Sequence, residues 1–136
     1  MRILLQVVLS FLLLFTSSAA FCQAKWQLFG EEGGGRVYID PSYRKEGSIV
    51  RVSWISDFEP FRGSRYDGHK LIGSILFESE INCSTRQSRI ISRESYPGRV
   101  ATGTGYGLES VNGPWKSIRE EGPQGMVFKA VGCQSN

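Results

Sequence analysis

The sequence predicts a mainly β domain of the α+β class, with a single antiparallel sheet of about six strands, a short C-terminal helix and one disulfide. Two observations predict the sheet. Short runs rich in β-branched and aromatic residues alternate with turn residues through most of the chain. Glycine occurs 16 times, and apolar residues rarely recur at helical spacing. The clearest helical pattern comes near the C-terminus, after Pro123, and it predicts the helix.

The first residues predict export. Arg2 precedes an apolar run from Ile3 to Phe15, and small residues follow. This order is typical of a signal peptide, which we assign to residues 1–24, leaving a domain at residues 25–136. The apolar run is shorter than the roughly 20 residues a spanning helix needs, and no later run approaches that length. We therefore expect a periplasmic or cell-surface domain with no transmembrane span in the mature chain.

The cleavage position decides the cysteine chemistry. Cleavage after Ala20 leaves three cysteines, whereas cleavage after Ala24 leaves only Cys83 and Cys133. An unpaired thiol tends to oxidise outside the cytosol, so the second position gives the simpler chemistry and predicts a structural Cys83–Cys133 bridge. Lipidation of Cys22 is the third alternative, and the bulky residue before it argues against a lipoprotein signal.

Six segments carry the strand pattern, and turn residues or a glycine- and proline-containing loop at residues 59–68 separate them. They are Trp26–Gly30, Arg36–Asp40, Ile49–Phe58, Leu71–Cys83, Thr85–Tyr96 and Val100–Glu109. Leu71–Cys83 and Thr85–Tyr96 are expected to form a hairpin. Opposite charges on its two strands, Glu78 and Glu80 against Arg89 and Arg93, predict cross-strand ion pairs rather than a catalytic carboxylate pair.

The last predicted strand has glycine at every second residue from Gly103 to Gly107. Such a bare face indicates close packing by another group, either the C-terminal helix or an aromatic ring. The helix is predicted over Pro123–Val131, since proline is favoured in a first helical turn and Val127 and Val131 lie four residues apart.

The side chains needed for catalysis are sparse. The single histidine, His69, has no recognisable nucleophile partner, and no cluster has the spacing of metal ligands. Without Arg2, the 15 remaining basic residues exceed the 13 acidic residues by only two, and they are scattered along the chain. We therefore expect no catalytic residues, no metal, no cofactor and no nucleic-acid partner.

Tyrosine and arginine are enriched in protein interfaces. The loop Asp57–Gly68 carries arginine and tyrosine together with phenylalanine, and we therefore hypothesise that it binds a protein partner. The candidate residues are Phe58, Phe61, Arg62, Arg65 and Tyr66. A second interpretation is a periplasmic small-ligand binder that uses the glycine-rich strand as a pocket floor.

The order of several short motifs resembles the surface-adhesin protein E-like family. The motifs begin with Trp26, Val37–Asp40 and Val52–Phe58. They continue with a Glu-Ile-Asn-Cys segment ending at Cys83, followed by Arg86 and Arg89, then Trp115 with Ile118, and a final Val-Gly-Cys ending at Cys133. The resemblance covers nearly all of the mature chain.

This resemblance implies one antiparallel sheet with a C-terminal helix and a Cys83–Cys133 bridge. It also implies an exported protein of a Gram-negative bacterium with a host or envelope protein as partner. The founding member of the family is an outer-membrane adhesin that binds host matrix and plasma proteins and can form a homodimer. We therefore expect an exported, non-enzymatic binding protein.

Overall fold

The computed structural model describes residues 25–32, 35–58, 65–67 and 70–133, with only the backbone described at residues 32, 65–67 and 70. The expected signal peptide, His69 and the loop residues Phe61 and Arg62 lie outside the described residues. The elements are β1 (Gln27–Glu32), β2 (Gly35–Ile39), β3 (Arg44–Glu46), β4 (Ile49–Phe58), β5 (Arg65–Asp67), β6 (Lys70–Ile72), β7 (Ser74–Asn82), β8 (Gln87–Tyr96), β9 (Tyr106–Ser110), β10 (Lys116–Ser117) and α1 (Pro123–Ala130).

Eight strands form one antiparallel sheet, which confirms the predicted fold class. Six of them follow the order β1-β2-β4-β7-β8-β10, while β3 pairs with β4 and β9 pairs with β8. The centre of the sheet is β4 and β7, which pair without a shift from Ile49↔Asn82 to Asp57↔Ser74. At the β7–β8 turn, the Asn82 side chain accepts hydrogen bonds from the amides of Ser84 (3.0 Å) and Thr85 (3.1 Å), an arrangement typical of asparagine in turns.

Helix α1 covers one face of the sheet by packing against β1 and β2. It begins at Pro123, as predicted, and Gly132 follows it with a left-handed φ of 76°. Its Met126 sulfur lies 3.2 Å from where a β-carbon on Gly30 would stand, so the helix approaches β1 closely where β1 has no side chain. The core between helix and sheet is apolar; it contains Val37, Ile39, Val50, Val52, Trp54, Ile81, Val127, Phe128, Val131 and Cys133.

The Cys83–Cys133 disulfide joins the end of β7 to the residues that follow α1, which confirms the predicted bridge. The two α-carbons are 5.1 Å apart, within the range usual for disulfides. Cys133 is buried in the core and the partly buried Cys83 packs against it, so the bridge fastens the end of the helix to the sheet beside the apolar cluster.

The predicted strand Leu71–Cys83 is interrupted at Gly73, which separates β6 from β7. A β-carbon at Gly73 would collide with the carbonyl oxygen of Pro97. The Gly73 amide donates to the carbonyl of Tyr96 (2.8 Å), and its carbonyl accepts from the amide of Phe58 (2.9 Å). The break therefore lets the segment after β8 approach the sheet.

The predicted strand Val100–Glu109 is wrong over its first half, because regular pairing starts only at Tyr106. Val100, Ala101 and Gly103 have positive φ, which is incompatible with extended backbone. The segment folds over the sheet instead, where the buried carboxylate of Asp57 accepts from Arg99 Nε and the Val100 amide (both 3.1 Å). Ser74 Oγ adds a bond from the Ala101 amide (2.9 Å).

Two of the three glycines of the stripe are covered by neighbouring groups and do not form a pocket floor, whereas Gly107 has open space around it. A β-carbon on Gly103 would meet the ring of Pro97, and one on Gly105 would meet the side chains of Glu94 and Tyr96. The aromatic neighbour expected for the stripe is found at Gly105, where the Tyr96 ring approaches, whereas helix α1 packs elsewhere.

Candidate functional site

The candidate functional site lies on the sheet face opposite helix α1, which we call the open face and define by Arg51, Ser53, Glu78, Glu80 and Arg89. The strand register places these residues side by side: Arg51 opposes Glu80, which opposes Arg89, and Ser53 opposes Glu78. Directly opposed residues of an antiparallel pair share one face of the sheet. The side chains of Arg51, Glu78 and Arg89 are 53%, 37% and 35% exposed, so this face is open to solvent.

Two cross-strand ion pairs organise the open face. Arg51 Nε donates to Glu78 Oε1 at 2.7 Å, and Arg89 donates through Nε and Nη2 to Glu80 Oε2 at 3.0 and 2.8 Å. The hydrogen bond from Arg51 to Glu78 and the attraction between their charges raise the pKa of Arg51 above its ordinary value. The Arg89 guanidinium also lies 5.0 Å from the centre of the Trp115 ring. The face is therefore a row of ordered charges of alternating sign.

The predicted cross-strand pairs are confirmed for Glu80 with Arg89 but wrong for Arg93. A bulge shifts the register between Glu78 and Ser79, so that Ser92 opposes Glu78 and Arg93 opposes Phe77. Arg93 is turned to the opposite face, where it pairs with Glu109 at 2.7 Å. Glu78 instead binds an arginine of β4, because β4 is its other neighbour in the sheet.

A concavity of about 300 Å³ lies at the edge of the open face, where residues of that face on β4 and β7 meet the beginning of β3. Its polar lining comprises Asp40, Ser42, Tyr43, Arg44, Arg51, Ser53 and Glu78. Tyr43 and Arg44 belong to residue types that are enriched in protein interfaces, but β3 and the residues before it have no apolar alternation from which their position in this concavity could be predicted.

Asp40 fixes the rim of this concavity. Its Oδ1 accepts from the Ser42 amide (3.0 Å) and from the Ser42 hydroxyl (2.6 Å), while its Oδ2 pairs with Lys25 Nζ at 3.0 Å. Burial alone would raise the pKa of Asp40, but the Ser42 hydrogen bonds and the charge of Lys25 outweigh burial and lower it. The Asp40 carboxylate is therefore held ionised, and both of its oxygens are already bound, one by Ser42 and the other by Lys25.

The structure describes only part of the predicted binding loop. Phe58 is the last residue of β4 and is partly buried. Arg65 and Tyr66 lie on β5, which pairs with β6 in a separate two-stranded sheet with Tyr66 opposite Leu71. The Tyr106 hydroxyl donates to the Leu71 carbonyl at 2.8 Å and links this small sheet to β9. The described residues therefore place this small sheet beside β9, and they do not bring the predicted residues together with the open face.

In the described part of the chain, no three histidine, cysteine, aspartate or glutamate side chains are grouped so as to hold a metal ion. No helix in these same ranges has both the length and the apolar character needed to cross a bilayer.

Comparison with known proteins identifies the family. The family model of surface-adhesin protein E matches residues 26–134. The fold is similar to that of Haemophilus influenzae protein E, with a TM-score of 0.52 at 11% identity over 79% of this chain and 93% of that chain. A second crystal form of protein E gives a TM-score of 0.54 at 11% identity over 76% and 90% of the two chains. No curated protein matches the chain. The family match spans nearly the whole predicted domain, and the chain therefore belongs to the surface-adhesin protein E family.

Proposed function

We propose that this chain is an exported, non-enzymatic binding protein of the surface-adhesin type, which contacts a protein partner through the open face and through the loop at residues 57–68. Membership of the surface-adhesin family supports the class of function. The observation that carries the proposed surface is the row of half-exposed, ion-paired side chains on the sheet face that α1 leaves uncovered.

The chemistry of the open face suits a protein partner. Its arginines are already oriented by carboxylates, so little side-chain entropy remains to be lost on binding. Alternating charges select a partner with the complementary pattern and disfavour others, because a misplaced like charge is costly at an interface. Trp115, stacked on Arg89, adds an aromatic edge to this surface.

Binding of the mature domain, residues 25–136, to a panel of purified matrix and plasma proteins tests the proposal. A variant in which R51Q, E78Q, E80Q and R89Q are combined removes both ion pairs without changing the net charge. The matched control R93Q/E109Q removes an exposed ion pair from the opposite face. Exposed pairs contribute about 0–1 kcal/mol each, so both variants are expected to fold.

We expect saturable binding to at least one panel protein, a loss of about tenfold or more in the open-face variant, and unchanged affinity in the control. Equal affinities of the wild type and the open-face variant for every protein that binds would contradict this use of the sheet. Alanine substitutions of Arg65 and Tyr66 test the loop separately.

The export part of the proposal has its own test. Protease treatment of intact cells should remove the protein if it is displayed at the surface, whereas a periplasmic protein should be cleaved only after the outer membrane is permeabilised. An intact mass of the mature protein reports the cleavage position and the state of Cys22. Recovery of the uncleaved protein from the cytosol would refute export.

A further inference from the structure

Two arginines stand directly opposite each other at the edge of the open face. The register of β3 and β4 pairs Arg44 with Arg51. Opposed residues have β-carbons about 4.5–5.5 Å apart, and like charges in this arrangement are unfavourable unless something compensates them. The neighbouring carboxylates therefore decide what this position can bind.

Carboxylates within the molecule compensate one arginine and not the other. Arg51 is paired with Glu78, Glu80 with Arg89, and Asp40 with Lys25. Arg44 is exposed, and no carboxylate of the described residues lies within 4.0 Å of its guanidinium. One uncompensated positive charge thus lines the concavity described above.

The shape and lining of the concavity suit a single small anionic group. A volume of about 300 Å³ is at the lower end of ligand sites and holds one or two side chains. Ser53 and the exposed Tyr43 line it, as does Ser42, whose hydroxyl already donates to Asp40. A guanidinium binds a carboxylate through two parallel hydrogen bonds, and the tyrosine ring gives such a side chain an apolar wall.

A polyanion fits this position less well. Glu46 and Glu80 line an adjoining depression together with both arginines. A sulfated glycan or a nucleic acid bound at Arg44 would bring its next charge close to these carboxylates, since adjacent charges in such polymers repeat at short intervals. A protein segment can instead offer one carboxylate followed by a neutral or basic residue.

We propose that the concavity at Arg44 and Arg51 receives a single aspartate or glutamate side chain of the partner protein, with Arg44 as the residue that binds the carboxylate. The inference rests on the proposed function, because it names the group of the partner that docks beside the open face. Arg51 is held by Glu78, which leaves Arg44 as the arginine available to the partner.

The probe is a capped pentapeptide with one central glutamate, compared with the same peptide carrying glutamine. Titration into the isotope-labelled mature domain is followed by NMR. We expect millimolar, saturable shifts confined to the amides around residues 42–44 and 51–53, and no saturable shifts with the glutamine peptide. R44Q is expected to weaken binding about tenfold or more, since a charge-assisted hydrogen bond is removed.

K45Q is the matched control, because it removes the same charge from the same strand while Lys45, the next residue along β3, points to the other face. It should bind the glutamate peptide as the wild type does, and equal thermal midpoints establish that both variants are folded. Equal binding of the two peptides, or equal weakening in R44Q and K45Q, would overturn the inference. So would tighter binding of a heparin hexasaccharide that depends on Arg44.

These outcomes are separable from those of the proposed function. Partner binding that is lost in the open-face variant but unchanged in R44Q would refute the carboxylate site and leave the use of the open face standing. Partner binding that is unchanged in both would refute the use of the open face, whereas the peptide titration would still report on the carboxylate site.

Discussion

Removal of the Cys83–Cys133 bridge should cost this domain a large part of its stability. The cysteines are separated by 50 residues. For a closed loop of that length, the chain-entropy relation gives a stabilisation of about 4 kcal/mol at 25 °C. A domain of this size has a total stability of about 5–15 kcal/mol, so the loss is substantial. Because Cys133 is a core residue, alanine is a better replacement than serine, which would bury a hydroxyl.

The assay is urea denaturation of the wild type and of C83A/C133A, followed by fluorescence. With a slope of roughly 1.5 kcal/mol per molar urea, the loss moves the midpoint by roughly 2.5 M. A reducing agent should shift the wild type toward the double variant and leave the variant unchanged. A loss of less than about 1 kcal/mol would refute the reasoning, because the unfolded chain would then gain little freedom from opening the loop.

Three further predictions concern other contacts. D57A removes the buried acceptor of Arg99 and should destabilise by about 2–3 kcal/mol in urea denaturation, with faster hydrogen exchange in the segment that Asp57 holds; wild-type stability would contradict this. Folding lowers the pKa of Asp40 below its usual 3.8. The ionised carboxylate therefore makes its full contribution to the stability of the folded state above pH 3.8, and this contribution is lost as the pH falls through the pKa of the folded state. D40N should therefore lose less stability than the wild type between about pH 6 and pH 3, and equal losses would contradict the assignment. G73A should destabilise by about 1–3 kcal/mol because the backbone must shift away from a carbonyl oxygen; an unchanged thermal midpoint would contradict that contact.

The elements that could be predicted are those with a strong local signal. The alternation in Ile49–Phe58 and the β-branched and aromatic content of residues 74–82 specify long central strands, since such side chains fit a half-buried pleated surface. Pro123 and the apolar spacing after it specify the helix. The disulfide followed from counting cysteines once a cleavage position was chosen.

The parts that could not be predicted depend on distant contacts. Arg44–Glu46 forms a strand only because β4 offers it a pairing edge, and its own residues have no strand pattern. Val100 and Ala101 adopt positive φ because Asp57 and Ser74 bind the segment from other strands. No local sequence signal reports such long-range hydrogen bonds.

In the candidate site, too, contacts with a local sequence signal could be predicted and contacts that depend on distant residues could not. Cross-strand ion pairs of Glu78 and Glu80 with Arg89 and Arg93 were predicted because the two strands of the hairpin carry opposite charges. The bulge adds one residue to β8 between Ile90, which opposes Ser79, and Ser92, which opposes Glu78. Since side chains alternate along a strand, the later residues of β8 lie on the opposite face from the one that a regular hairpin would give them. Arg93 was misplaced for this reason, and Arg51 was missed because its partner lies on a strand that is distant in sequence.

The arrangement of α1 and the disulfide on one side of the sheet has an evolutionary consequence. Tight apolar packing constrains substitutions there, because each buried methylene group that is lost lowers the free energy of unfolding. The exposed ion pairs on the other side contribute little to that free energy. Charges on that side can therefore be exchanged at little cost in stability, while the scaffold beneath them persists.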